Sequence, residues 1–478
     1  MRISLNKILR IINIGILITT WYLFNELGGN YYINLTTIIL GTILGIETHL
    51  FLIYADKKKN SLLFILSFIL VIYFLFRIPT LLFTTFSVVF LRFTISYLDS
   101  NFALLFIIIS NIFLFLGIHI ATIRNKNIPI KLQKDKPSKD YKIILVIILP
   151  YFLTFSYLLK IDSITKLFGF IQNVFLNPAT IIFMCIIYFS YYYNNFRNKT
   201  KVVFILLLVL YIVMVSLNGS RSGLQTIGVF FIIASIVIFN KISFKIIHII
   251  GIILFIPVAV IIFFVSSYTR TISDESSLNY LDKIENTKSF DFDAISDDKM
   301  VYAPIFDRMG FFDYATEIIA HEKEYSDIFR LNYYLASIVD NVLTPGFNIF
   351  NTPRVSNALI YRYSNSAKLS MKNVSESYHS DQLTIYGEFY SLFFGWGSLI
   401  IFFFTGYIFQ KFYDKKNRLG GCKTAIQKGL ILLVFFQLIN SFGLDWLLFD
   451  IVSFYICYII FQKLLFKNRR NYTKIIVT

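Results

Sequence analysis

The densest run of chemically capable side chains is Glu376-Ser-Tyr378-His379-Ser-Asp381-Gln382, continuing through Tyr386-Gly387-Glu388-Phe389-Tyr390 to Phe394-Gly395-Trp396-Gly397. His379 stands two residues from Asp381, and Glu388 falls where the chain turns apolar. A histidine and carboxylates in such a run can take a proton from an acceptor hydroxyl, and Tyr378 and Tyr390 can bind one. The plainer reading makes His379 and Asp381 polar ends of a loop, and Glu388 the partner of an arginine. A second group is Asn218-Gly219-Ser220-Arg221-Ser222-Gly223, a tight turn opening an apolar run. Ser220 or Asn218 can cap the helix that follows, whose free N–H groups and positive dipole end favour an anion. Arg221 adds a planar fork suited to phosphate oxygens, or it is an interfacial anchor on a short loop. The third group is the arginines Arg270, Arg308, Arg330, Arg354 and Arg362. Against an acidic stretch these can be surface ion pairs. Arg308 and Arg354 stand out because apolar and turn residues surround them.

The elements that must position these groups are membrane spans. Of 478 residues 56% are apolar and only 15% charged, with mean hydropathy +0.66, which excludes a soluble globular enzyme, a disordered chain and a fibrous one. Apolar runs long enough to cross a bilayer recur from end to end, so the fold class expected is an all-α polytopic transmembrane protein. Candidate spans are 8–26, 33–54, 61–78, 79–98, 101–122, 142–160, 174–193, 201–217, 221–239, 246–267, 383–410, 425–443 and 445–464. The formal net charge of +17 is unevenly spread: residues 268–382 hold 11 Lys/Arg against 17 Asp/Glu, leaving 34 against 11 elsewhere. The basic excess therefore marks cytoplasmic loops and anionic lipid, and it does not point to nucleic acid. Asp56-Lys57-Lys58-Lys59 and the stretch 124–142 should lie on the same side, yet three candidate spans separate them. The segment 79–98, which opens at Pro79 and carries Arg92, is read as a re-entrant or interfacial element on the outer side. About 12 crossings remain, with both termini cytoplasmic. The division is then a membrane region 1–267, an extracytoplasmic loop 268–382 and a membrane region 383–478 with a basic tail. Within the loop, helical spacing is expected over 303–320 and 327–343. The acidic part, 274–298, lacks the glycine turn and ligand spacing of a calcium loop. The three cysteines show no metal or redox spacing, and no cofactor or metal signature accompanies them.

In its architecture and in two local stretches the chain resembles the oligosaccharide repeat-unit polymerases of bacterial surface polysaccharide synthesis, the Wzy or O-antigen polymerase type. The stretches are Gly219-Ser-Arg221-Ser-Gly223-Leu opening a span, and Asp381 through Gly387-Glu388-Phe-Tyr390 to Phe394-Gly395-Trp-Gly397 entering the next. Some members pair a loop arginine with a glycine eleven positions later. No arginine of 268–382 has that spacing, so that motif does not carry over.

The resemblance implies a glycosyltransferase at the outer face of the bacterial inner membrane, acting on undecaprenyl-diphosphate-linked oligosaccharide without a cofactor. A chain-length regulator and membrane lipid are the further partners it implies. On this reading Arg221, Arg308 and Arg354, with Ser220, meet the anionic diphosphate. His379, Asp381 or Glu388 takes the acceptor proton, and Tyr378 and Tyr390 bind glycan. Two other readings compete: an O-antigen ligase, which uses a different acceptor, and a flippase or transporter for the same lipid-linked sugar. Transporters favour ionisable groups near mid-membrane, whereas here the notable polar groups are expected at one face.

Overall fold

The computed structural model describes residues 2–82, 95–124, 131–133, 140–158, 177–217, 221–239, 243–245, 310–343, 349–364, 383–417, 420–440, 443–466 and 472–474. In chain order the helices are α1 (Leu5–Leu27), α2 (Leu35–Lys58), α3 (Ser61–Leu81), α4 (Tyr97–Arg124), α5 (Asp140–Leu158), α6 (Pro178–Tyr191), α7 (Asn198–Leu217) and α8 (Arg221–Phe239). There follow α9 (Phe311–Ala320), α10 (Leu331–Ile338), α11 (Val355–Ser364), α12 (Thr384–Leu392), α13 (Leu399–Asn417), α14 (Cys422–Ile439) and α15 (Leu444–Leu465). Seven of the described helices are long and apolar enough to cross a membrane. Their outward faces carry apolar side chains: Ile11 and Ile18 on α1, Ile46 and Leu50 on α2, Leu206 and Val209 on α7. In water such faces would be unpaid hydrophobic surface, whereas against lipid tails they are solvated. The chain is a multi-pass helical membrane protein.

Helix α14 runs through the middle of the bundle, packed on α3, α6, α8, α13 and α15. The most extensive helix pair is α4 with α13. There Gly117 faces the Phe403 carbonyl and Gly406 the Leu114 carbonyl, so closely that a Cβ at either position would collide with backbone. Small residues let two helix backbones approach in a membrane, where lipid supplies no hydrophobic drive to pair them.

Contacts fix which helix ends lie together. At one end Asn60 Nδ2 donates to Gln410 Oε1 at 3.0 Å, Tyr413 Oη donates to Ser61 Oγ at 2.9 Å and Arg197 N donates to Asp140 Oδ2 at 3.1 Å. Lys142 Nζ meets the Leu464 carbonyl there as well. Two short antiparallel pairs add to this: β1 (Arg2–Ser4) with β3 (Ser243–Lys245), and β2 (Lys131–Gln133) with β4 (Tyr472–Lys474). Segments assigned to one side by charge are thus neighbours in space, and we call this the basic end.

At the far end Asn30 Nδ2 donates to the Leu81 carbonyl at 2.8 Å and Tyr97 N to the Tyr31 carbonyl at 2.8 Å. Leu81 and Tyr97 therefore flank the same turn, although 83–94 lie outside the described residues. Two expected boundaries are corrected. The third span does not stop before Pro79: α3 continues to Leu81 by way of a π-helical segment, Leu70–Leu75, with Pro79 inside its last turns. Nor is 383–410 one continuous helix. Helix α12 and the helix that follows it, from Gly395 onward, meet at 116°, with Phe394 in the left-handed region at φ 60°. The acidic stretch 274–298, the span 246–267 and the first part of the expected helix 303–320 lie outside the described residues.

Candidate functional site

The short helices α9 to α12 build a second layer at the far end, with its own apolar cluster of Ile318, Tyr325, Ile328, Tyr334, Val355 and Leu383. Buried carboxylates hold the layer down. Glu388 is fully buried, and its Oε1 accepts from Tyr334 Oη and from Leu444 N, both at 2.7 Å. The second bond caps the N-terminus of α15, where an anion is favoured by the helix dipole. Asp445, in the first turn of α15, caps another helix: its Oδ2 accepts from Val355 N, the first residue of α11, at 3.1 Å, and from Ser337 Oγ at 2.6 Å. Gly443 precedes this turn at φ 118°, and a Cβ there would strike Asp445 Oδ1. Asp340 accepts from Phe350 N and Thr352 N, at 2.9 and 2.8 Å, and fixes the turn that leads to Arg354.

Arg354 is thereby delivered to the same first turn of α15 as Glu388. Its guanidinium lies over Trp446, 3.8 Å from the ring centroid, with Phe449 at 5.2 Å. Burial pulls its pKa down from the usual arginine range, and the nearby Asp445 and Asp450 oppose that shift. An arginine held over an indole and only half-buried presents a preformed fork, able to take phosphate or carboxylate oxygens. Asp450 accepts from Gln437 Nε2 at 3.0 Å.

Two of the sequence-expected residues, Arg354 and Glu388, therefore converge. Tyr390 does not join them: it leaves α12 toward α4, packing edge-on to Phe106 with centroids 4.9 Å apart. Trp396, beyond the bend, packs on the same Phe106. Arg221 opens α8 as expected, and Ile236, in the last turn of α8, lies beside Ser4 and Asn60 at the basic end, so the start of α8 belongs to the far end. Ser220, Arg308, Tyr378, His379 and Asp381 lie outside the described residues.

Sequence reading missed four polar groups here. Arg77 and Asp313, fully buried, form a fork between α3 and α9, with Arg77 Nη2 to Asp313 Oδ2 at 2.6 Å and Nε to both oxygens at 3.0–3.1 Å. Asp445 and Asp450 are carboxylates inside an otherwise apolar span. That was a readable signal, since ionisable residues in such a span seldom lack a role. A third arrangement is the buried Glu317, which accepts from Tyr325 Oη at 2.5 Å and lies 3.0 Å from Nδ1 of the partly exposed His321. The Glu317 side chain pushes the imidazole up to about 9, against the opposing effect of burial. Among the described residues no group of three His, Cys, Asp or Glu side chains is arranged to hold a metal. No known protein family, curated protein or solved structure matches the chain.

Proposed function

We propose that the protein is a glycosyltransferase that polymerises oligosaccharide repeat units carried on undecaprenyl diphosphate, with its site at the far end of the bundle. The observation that supports this reading is Arg354, clamped over Trp446 by a turn that Asp340, Asp445 and Ser337 hold rigid. A lipid diphosphate leaving group develops negative charge at the membrane surface. A preorganised guanidinium there stabilises that charge without needing to reorganise during the reaction. Arg221, at the start of α8, is the second cation on this reading, and the dipole of α8 adds to it.

The acceptor proton goes to His379 or Asp381 on this reading. Glu388, whose Oε1 is engaged by Tyr334 and the start of α15, serves to hold the site's floor. The basic end faces the cytoplasm of a bacterial cell and the far end the outside. The same site would serve an O-antigen ligase, the acceptor alone being different.

The test is a surface-polysaccharide gel from a deletion strain complemented with wild type, Arg354→Ala or Arg354→Lys. A polymerase gives a ladder with wild type that collapses to single repeats with Arg354→Ala. Arg354→Lys recovers it only in part, because an ammonium replaces the fork by a point charge. Polymer that accumulates on the lipid carrier would assign the ligase, and an unchanged ladder in the deletion strain would remove the proposal.

A further inference from the structure

Glu47 lies twelve residues into α2, about 18 Å along the helix, and is only 9% exposed. Both of its carboxylate oxygens are shut off from solvent, and the Asn111 side chain is the donor that reaches them. Two side chains from other elements face it: Asn111, near the middle of α4, and Tyr386 of α12. Asn111 and Tyr386 are themselves buried, and Tyr386 Oη donates to Asn111 Oδ1 at 2.6 Å.

The remaining neighbours of α2 bring no charge to this point. On α1, Asn13 turns its amide to the Gly45 carbonyl at 2.8 Å. On α3, Arg77 is engaged by Asp313. No cation among the described residues acts on Glu47. An ionised carboxylate so placed would be a desolvated charge without a counter-ion and with only the Asn111 amide beside it, an arrangement that costs several kcal/mol.

We propose that Glu47 is a proton-binding site inside the membrane, with Asn111 and Tyr386 coupling its occupancy to α12. The carboxyl holds one proton. Its loss leaves a negative charge beside the hydroxyl of Tyr386, and so bears on the helix whose next residues are Gly387 and Glu388. A site of this kind gives the protein a sensitivity to proton supply that the far-end arginines do not provide. It stands independently of the glycosyl-transfer reading, and its failure would leave that reading untouched.

The test uses the full-length protein in lipid nanodiscs and dicyclohexylcarbodiimide, an apolar reagent that needs a protonated carboxyl. The acid O–H adds across one C=N bond: the proton goes to nitrogen and the carboxylate oxygen bonds the central carbon, with no leaving group and no redox change. Adducts are located by peptide mass spectrometry. We expect modification at Glu47 in mildly acidic buffer, absent in Glu47→Gln. Its rate should fall about tenfold per pH unit once the buffer passes the site's titration. Exposed Glu26, at the end of α1, serves as the internal comparison and should prefer a water-soluble carbodiimide. An unmodified Glu47 peptide recovered at every pH, or a rate independent of pH, overturns the proposal. So does protection by sodium ions at constant pH, which would make the occupant a metal cation. Should Glu47→Gln fail to insert, the pH dependence on wild-type protein decides alone.

Discussion

His321 owes its charge chiefly to Glu317, with a smaller push from Glu324. Glu317, 3.0 Å away, lifts the imidazole from 6.5 to about 9, so the pair stabilises the fold when the histidine is protonated. A raised folded-state pKa means that this contribution is complete below about pH 6.5 and is lost as pH rises through about 9. Melting temperature in detergent should therefore fall over that window in wild type and change less in His321→Gln, whose amide can still donate to Glu317. Equal slopes in both proteins would contradict the assignment. The buried pair Arg77–Asp313 behaves differently, because both charges are out of water. Asp313→Ala leaves a guanidinium uncompensated and should cost about 3–5 kcal/mol, whereas Arg77→Met with Asp313→Leu should recover most of it. Unfolding measured for the two variants checks this. The Arg77–Asp313 pair was not legible in the sequence. Arg77 and Asp313 are separated by more than two hundred positions, and nothing in the local pattern around either residue names the other. Arg354 was legible as a candidate because its turn surroundings were visible, but Trp446, on which it stacks, was not.

Several spans among the described residues could be read from the sequence. The last span was expected at 445–464 and forms Leu444–Leu465, since a long apolar run in a membrane has no alternative to a helix. The breaks were harder to see. Helix α3 passes Pro79 by way of a π-helical segment, and α12 turns through 116° at Phe393–Phe394 without a proline. In both places tertiary contacts decide: Tyr73 stacks on Phe311 at 4.4 Å, and Gly387 lets Ile318 of α9 lie against α12. Glu47 escaped notice because one carboxylate barely alters the hydropathy of a 24-residue helix. The close pairing of α4 with α13 rests on Gly117 and Gly406. Leucine at either position should separate the two helices and cost several kcal/mol, beyond the 1–3 kcal/mol typical of overpacking in a core that can relax. Reduced yield and a lowered melting temperature for Gly117→Leu and Gly406→Leu are the expected results, with Gly15→Leu, where nothing lies within 4 Å, as the tolerated control.

For the molecule as a whole, charge divides the chain into two ends, and the contacts agree with that division. Lys142 meets the end of α15, and β2 meets β4 beside it. At the opposite end a layer of short helices is fastened by Asp340, Asp445 and Glu388 onto the first turn of α15, and Arg354 is displayed there. We propose that this end transfers glycosyl units between lipid diphosphates. The direct measurement supplies purified full-length protein, in nanodiscs, with undecaprenyl-diphosphate-linked repeat unit from its own strain and separates the products by length. Glycosyl transfer at this end should give a ladder of polymer with release of undecaprenyl diphosphate, and only single repeats when Arg354→Ala replaces wild type. Folded wild-type protein that moves the intact lipid-linked unit across a membrane, and forms no glycosidic bond, would contradict it.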